Sequence, residues 1–332
     1  MTGKGAFVVG GAGFIGSHLV DQLVRRGPVT VYDDLSVGRR RFIAEHLDAG
    51  RANLIEADAL DLDALCAALP GHDLVVHLAA NPEARWGLER TRLDLDQGTI
   101  ATYQVLEAMR RSDVRRLVFA SSGTVYGETP RTCAEEDLGA LPISLYGASK
   151  LAGEALVSAF VECFGLQGWI FRFGNVVGPR GTHGAALDFL HKLRRAGRAA
   201  ERGSPVELEV LGDGTQQKPY LHVEDCVGGM LFGLRHGTEP LNVFNLAPPD
   251  QTSVKRIAEL CIAASPTPDA TIRYTGGDRG WPGDVPRSMM SPERMAALGW
   301  RVRHTSDEAV ALAVAALAVE VFGDGAGAEA NR

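Results

Sequence analysis

Tyr146 and Lys150 stand four residues apart in the stretch ISLYGASKLAGEALVSAFVECFG, whose helical periodicity puts them on one face, one turn apart. A phenol beside an ammonium is a proton-transfer pair. To act as a base near neutral pH, a tyrosine that ordinarily titrates near ~10 needs roughly 4 kcal/mol of preference for the phenolate. One cation ~4 Å away at an effective dielectric of ~20 supplies about that much. A second group of polar side chains lies upstream in RRLVFASSGTVYG, where a short apolar strand ends in Ser121, Ser122, a turn glycine and Thr124. Hydroxyls bunched at a strand end can hydrogen-bond an alcohol or carbonyl oxygen.

These groups need a scaffold, and the first half of the chain describes one. Strand-like runs (AFVVG, VTVYD, DLVVHLAA, RLVFASS) alternate with helical patterns (IGSHLVDQLVRRG, LDLDALCAALPG, IATYQVLEAMRRS). Such alternation predicts βαβ units and an α/β fold: a Rossmann-type doubly wound parallel sheet with helices on both faces. In AFVVGGAGFIGSHLV, Gly10, Gly13 and Gly16 separate the first strand from its helix. The backbone can there turn tightly and bring amides and the helix N-terminus against a pyrophosphate, with Phe14 and Ile15 opening the helix. Asp33 ends the next strand 17 residues after Gly16, where a carboxylate accepts both ribose hydroxyls and repels a 2′-phosphate; this predicts NAD rather than NADP. Asp34 can share that task. Asp58, with Ala59 beside it at the end of a further strand, either reaches the adenine edge or caps a helix. Leu78, Ala79 and Ala80 in HLAA and Ser121 complete the expected cofactor wall, and an oxidised nicotinamide near Tyr146 would add to the field of Lys150.

The chain has 332 residues, 45% of them hydrophobic, and a formal charge of −7, which argues against a nucleic-acid surface. Five cysteines (Cys66, Cys133, Cys163, Cys226, Cys261) with wide spacing fit neither a disulfide framework nor a zinc site, so reduced core thiols are expected and no metal. No run approaches ~18 apolar residues, and a strand beginning at Ala6 leaves no room for a signal peptide, so no membrane and a cytoplasmic location are expected. After about residue 175 the alternation decays into Gly- and Pro-rich loops. Residues 1–175 are therefore read as the NAD-binding domain, with the segment around 217–247 a candidate to cross back to it. Residues 176–320 form a smaller C-terminal substrate-binding α/β lobe and 321–332 a frayed tail.

With GGAGFIG, YDDL, HLAA, SSGTVYG, YGASK and RFGNVVGP in this order, the chain resembles the extended short-chain dehydrogenase/reductases, in particular the NAD-dependent nucleotide-sugar epimerase/dehydratase family, from about residue 5 to about 310. The resemblance implies a Ser122/Tyr146/Lys150 catalytic set, with Ser122 on the substrate O4 while Tyr146 takes its proton. Thr124 separates the chemistries. Family 4,6-dehydratases carry an Asp-Glu pair at Gly123-Thr124, and UDP-glucuronate decarboxylases carry a Glu at Thr124. A threonine cannot be the acid or base for eliminating water across C5–C6, whereas 4-epimerisation needs no second base. The implied activity is UDP-sugar 4-epimerisation through a 4-keto intermediate. A dehydratase or decarboxylase with a carboxylate from elsewhere, and a non-catalytic NAD-binding protein, are the alternatives.

By the same resemblance Asn175 and Arg279 are diphosphate contacts, the segment from Thr182 lies where uridine binds, and Lys218 stands for a common Arg. Lys keeps the charge but loses bidentate geometry. Val9 replaces a Thr, Gly98 a cofactor-side Asn and Pro219 an Asp. Ser288 falls where a bulky Tyr excludes N-acetyl groups in UDP-galactose 4-epimerases. Arg85 resembles an arginine of UDP-glucuronate 4-epimerases, and Arg180 lies near the sugar-facing turn, so glucose, N-acetylglucosamine and glucuronate nucleotides all remain open. The helix carrying Tyr146 and the preceding helix around IATYQVLEAMRR are expected, by the same resemblance, to pair across a two-fold axis in a homodimer.

Overall fold

The computed structural model describes residues 4–137, 140–200 and 205–323. Seven apolar runs form one parallel sheet: β1 (Gly5–Val9), β2 (Val29–Asp33), β3 (Ala52–Glu56), β4 (His72–His77), β5 (Arg116–Ser122), β6 (Gln167–Phe173) and β7 (Leu241–Leu246). Their spatial order is β7-β6-β5-β4-β1-β2-β3. The winding therefore reverses beside β1, and the carboxyl ends of β1 and β4 diverge to leave the crevice in which such sheets bind ligands. Strand periodicity sorts side chains between two cores. Ala6 and Val8 join Val31, Val118 and Phe171 on one face, while Phe7 and Val9 join Tyr32, Phe119 and Ile170 on the other.

One face is covered by α1 (Phe14–Leu23), and the other by α2 (Leu62–Ala68), α3 (Ala101–Arg111) and α4 (Leu145–Phe164). After β6 the chain leaves the sheet for α5 (Ala185–Ala199), then returns: α6 (Val223–His236) packs on α1, and β7 pairs with β6 from Leu241 to Leu246. It departs again through α7 (Val254–Ala263) and ends in α8 (Ser306–Phe322). The helices α5, α7 and α8 enclose a separate core around Phe189, Leu190, Ile257 and Val314, with the parallel pair Glu207–Val210 and Thr271–Tyr274 alongside.

The expected tail boundary shifts. Residues 321 and 322 belong to α8, whose start is locked by a capping box between Thr305 and Glu308, and the tail from 324 on lies outside the described residues. The thiols also divide differently from expectation: Cys133, Cys226 and Cys261 are buried and Cys66 half-buried, but Cys163 is exposed near the end of α4. The helix expected over IATYQVLEAMRR is preceded by a π-helical stretch, Leu95–Ile100. There Gly98 lies so close to the Ser149 side chain that a Cβ would strike its Oγ. No Asn fits at that point without displacing α4.

A buried polar network holds β5, β6 and β7 to the loops above them. Arg172 forks onto Glu154, with Nη2 2.7 Å from Oε2 and Nε 2.9 Å from Oε1, and donates through Nη1 to the Tyr126 hydroxyl and the Glu135 carbonyl. Tyr126 donates in turn to Asn245 Oδ1 at 2.7 Å, and the Asn245 backbone N–H to Glu135 Oε1 at 2.8 Å. Removing the cation would strand the Glu154 carboxylate, which is 7% exposed. Arg172→Met is therefore expected to lower unfolding free energy by ~3–5 kcal/mol. A loss below ~1 kcal/mol in urea titration, where surface pairs fall, would mean the network is solvated.

Candidate active site

Two cavities adjoin above the carboxyl ends of the strands, one of about 210 Å³ beside the glycine turn and one of about 390 Å³ between the sheet and the smaller lobe. Tyr146 lines both, as do Phe14, Ile15, Ser121, Phe173 and His183; Lys150 faces only the first cavity, Ser122 and Thr124 only the second. The phenol thus sits at the junction. Its position follows from the local sequence: Ser144 caps α4 by accepting the Gly147 N–H at 3.1 Å, so the helix starts at Leu145 and Tyr146 falls in its first turn.

The first cavity has the shape of a dinucleotide cradle. Gly10 has φ +81°, and a Cβ there would lie 2.6 Å from the Ala79 nitrogen; one at Gly16 would collide with the Gly10 carbonyl. Only glycine permits the β1–α1 turn and the Leu78–Ala79–Ala80 segment to approach this closely. At the far end Asp33 Oδ2 accepts the Ala12 N–H at 2.9 Å and Oδ1 the Leu35 N–H at 3.0 Å, leaving lone pairs on both oxygens for a diol. Burial pushes the Asp33 carboxyl up, against those two N–H groups. Asp34 and Ala59 line the same cavity. So does Asp58, but it does not cap α2. That role belongs to Asp61, which accepts the Ala64 N–H, while Asp58 holds the Leu60 N–H. The residues present fit NAD.

The catalytic candidates meet as expected, but their electrostatics differ from the expectation. Tyr146 lies beside Ser122, which favours its phenolate, and Ser122 Oγ accepts from the Thr124 N–H at 3.2 Å and the Thr124 hydroxyl at 3.0 Å. Burial pushes the phenol up to about 12, eased by Ser122 and opposed by Asp94. The Lys150 ammonium donates to the Ala120 carbonyl at 2.8 Å and lies 5.7 Å from the Tyr146 ring centre. Burial also pulls Lys150 down to about 8, with Asp94 and Glu154 holding it up. His77, pushed down to about 3 by burial and then by Lys150, stays neutral.

No sequence signal pointed to Asp94. It is 1% exposed, Oδ1 accepts from Asn81 at 3.0 Å, and Oδ2 has no hydrogen-bond partner among the described residues. Ser121 is engaged too, donating to Glu154 Oε1 at 2.5 Å.

Of the expected substrate contacts, Arg85, Thr124, Asn175, Lys218 and Ser288 line the larger cavity, together with Glu83, His183, Asp188, Lys192 and Asp284, which sequence reasoning missed. Three do not line it. Arg180, in the left-handed region at φ +62°, turns to α1 and pairs with Asp21 at 2.9 Å. Arg279 reaches over the surface to Glu128 at 3.3 Å. Thr182 lines the cofactor-side cavity instead.

Residues 6–247 match the NAD dependent epimerase/dehydratase family. A UDP-glucose 4-epimerase of Mycolicibacterium smegmatis is 30% identical over 317 residues, 92% of this chain and 96% of that protein. A crystal structure of a UDP-galactose 4-epimerase superposes with TM-score 0.83 at 36% identity, over 96% of this chain and 99% of the other. The UDP-glucose 4-epimerase of Thermus thermophilus in complex with NAD gives 0.80 at 29% identity, over 94% and 98%.

Asn in place of Asp33 keeps one acceptor and loses the charge, so the glycine turn loses a brace and the diol an acceptor. Asp33→Asn should weaken NAD binding at least ~10-fold, because a charge-assisted hydrogen bond is lost. Calorimetric titration of nucleotide-free protein measures it, and an unchanged Kd would remove Asp33 from the site.

Proposed function

The chain belongs to the NAD dependent epimerase/dehydratase family, and from that premise we propose that it inverts C4 of a UDP-linked sugar, an isomerase that uses NAD and returns it unchanged. One observation carries the choice of epimerase over dehydratase or decarboxylase. Beside Ser122 stands Thr124, and among the described residues the carboxylates lining the larger cavity are each ion-paired: Glu83 with Arg85 at 2.8 Å, Asp188 with Lys192 at 3.1 Å, Asp284 with Lys218 at 2.5 Å. Arg85 holds the Glu83 carboxyl below its usual range against the opposing effect of burial. A carboxylate so held is a poor proton donor, which leaves Tyr146 as the proton-transferring group. That is all an epimerase requires.

In the proposed reaction Ser122 donates a hydrogen bond to the sugar O4 and Tyr146 accepts the O4 proton as C4 becomes a ketone. The glycine turn and Asp33 would hold NAD in the smaller cavity, where it would supply a reversible hydride acceptor for C4 and a positive ring beside Tyr146 and Lys150. Lys150 holds the end of β5 through Ala120 and orients the phenol by its charge. The 4-keto sugar turns over in the larger cavity and is reduced on its opposite face, with Tyr146 returning the proton. Asn175 and Lys218 are the proposed diphosphate contacts and Ser288 the residue nearest the C2 substituent, with room for either a hydroxyl or an N-acetyl group. We assign residues 1–175 with the returning segment 217–247 to the cofactor domain, and the rest of the described chain to the substrate lobe. A cytoplasmic location fits a nucleotide-sugar enzyme with reduced thiols, and among the described residues no helix is long and apolar enough to cross a membrane.

A homodimer is also proposed. Ile100, Tyr103 and Phe164, on or beside α3 and α4, are 38–42% exposed, an apolar surface suited to the same helices of a second copy. Sedimentation at micromolar concentration should give twice the 35.4 kDa chain mass, and a monomer alone contradicts the pairing.

Incubation with UDP-glucose or UDP-N-acetylglucosamine, followed by NMR, should yield the C4 epimer. Tyr146→Phe should reduce turnover at least ~10²-fold, the usual contribution of a positioned acid-base group, with NAD binding little altered. A 4-keto-6-deoxy sugar or a pentose as product would replace this reading with one of its relatives.

A further inference from the structure

Arg85 lines the larger cavity, where a guanidinium can hold a carboxylate with two parallel hydrogen bonds, but its fork is already engaged. Nε donates to Glu83 Oε1 at 3.0 Å and Nη2 to Oε2 at 2.8 Å, the two-pronged geometry a carboxylate ligand would need. The partner is built in rather than loosely placed. Glu83 Oε1 also takes the Arg85 backbone N–H at 3.3 Å. Asn81 grips the residue at both ends, donating to the Glu83 carbonyl at 3.0 Å and accepting its N–H at 3.1 Å. The Glu83 side chain is only 15% exposed, so solvent screens it little. Asp188 and Asp284, which line the same cavity, act on the Arg85 charge as well. His183, the remaining group that acts on Glu83, has its pKa lowered from the ordinary histidine value. Among the described residues, the wall around Arg85 therefore offers no unspent positive charge.

Resting on the function just proposed, we propose that Glu83 restricts this enzyme to sugars uncharged at C6: it fills the Arg85 fork that a C6 carboxylate would occupy and repels that carboxylate by its own charge. Specificity then comes from a repulsive element as much as from contacts to the accepted sugar. A C6 hydroxymethyl group asks nothing of Arg85 and leaves the pair intact.

The test compares UDP-glucose with UDP-glucuronate in turnover and in calorimetric binding. Wild type should favour UDP-glucose by ~10²-fold or more in kcat/KM, and Glu83→Gln, isosteric but uncharged, should narrow that ratio at least ~10-fold by gaining on UDP-glucuronate. Arg85→Gln is the second variant. It leaves Glu83 unpaired and should widen the ratio, which reads the proposal even if Glu83→Gln fails to fold. A wild type that prefers UDP-glucuronate, or variants whose ratios stay at the wild-type value, would overturn the role of Glu83. Failure of the function reading shows separately as no turnover of either sugar. In that case the Kd ratio of the two nucleotides, wild type against Glu83→Gln, still decides whether Glu83 discriminates by charge.

Discussion

Two cations buried under the carboxyl ends of β5 and β6 organise the rest of this structure. Lys150 and Arg172 are 4% and 3% exposed, and neither could be buried without partners. Lys150 is satisfied by the Ala120 carbonyl at the end of β5, with Asp94 and Glu154 supplying negative charge nearby. Arg172 is satisfied by Glu154, Tyr126 and the Glu135 carbonyl. Glu154 serves both cations and also receives the Ser121 hydroxyl. The strand that carries Ser122, the helix that carries Tyr146 and the loop that closes over β7 are thus bound by one connected polar network.

The network gives the site its rigidity and leaves its chemistry incomplete. Burial holds the Tyr146 phenol at about 12, with Asp94 adding to the effect and Ser122 opposing it. In the proposed mechanism the positive ring of an oxidised nicotinamide would favour the phenolate from the cofactor side. Coupling the proton acceptor to the cofactor's oxidation state in this way would keep proton removal in step with hydride removal.

What the sequence disclosed was what short spacings dictate. The turn of Gly10, Gly13 and Gly16 is forced by backbone sterics, the Tyr146–Lys150 face by the pitch of a helix, and Asp33 by the end of a strand. All three stand where the local pattern put them. The family order of motifs likewise anticipated the sheet and its NAD-binding class. Loop arginines were not legible in the same way. Arg180 and Arg279 occur in stretches that resemble substrate loops, but their long side chains go to Asp21 and Glu128, partners 159 and 151 residues away in sequence. Asp94 and Glu83 were invisible for the complementary reason, since an isolated acid acquires meaning only when burial or a fork partner is known. Asp58 could not be told from Asp61 as the cap of α2, because a turn precedes that helix and either residue could have ended it.

The central claim is that one hydride leaves C4 and returns to C4 while Tyr146 handles only the proton on oxygen. UDP-glucose carrying deuterium at C4, incubated with the enzyme in ordinary water, tests it directly by NMR and mass spectrometry. The account predicts the C4 epimer with its deuterium retained at C4. Deuterium lost to solvent, or found at C6 of a 4-keto-6-deoxy product, would contradict it.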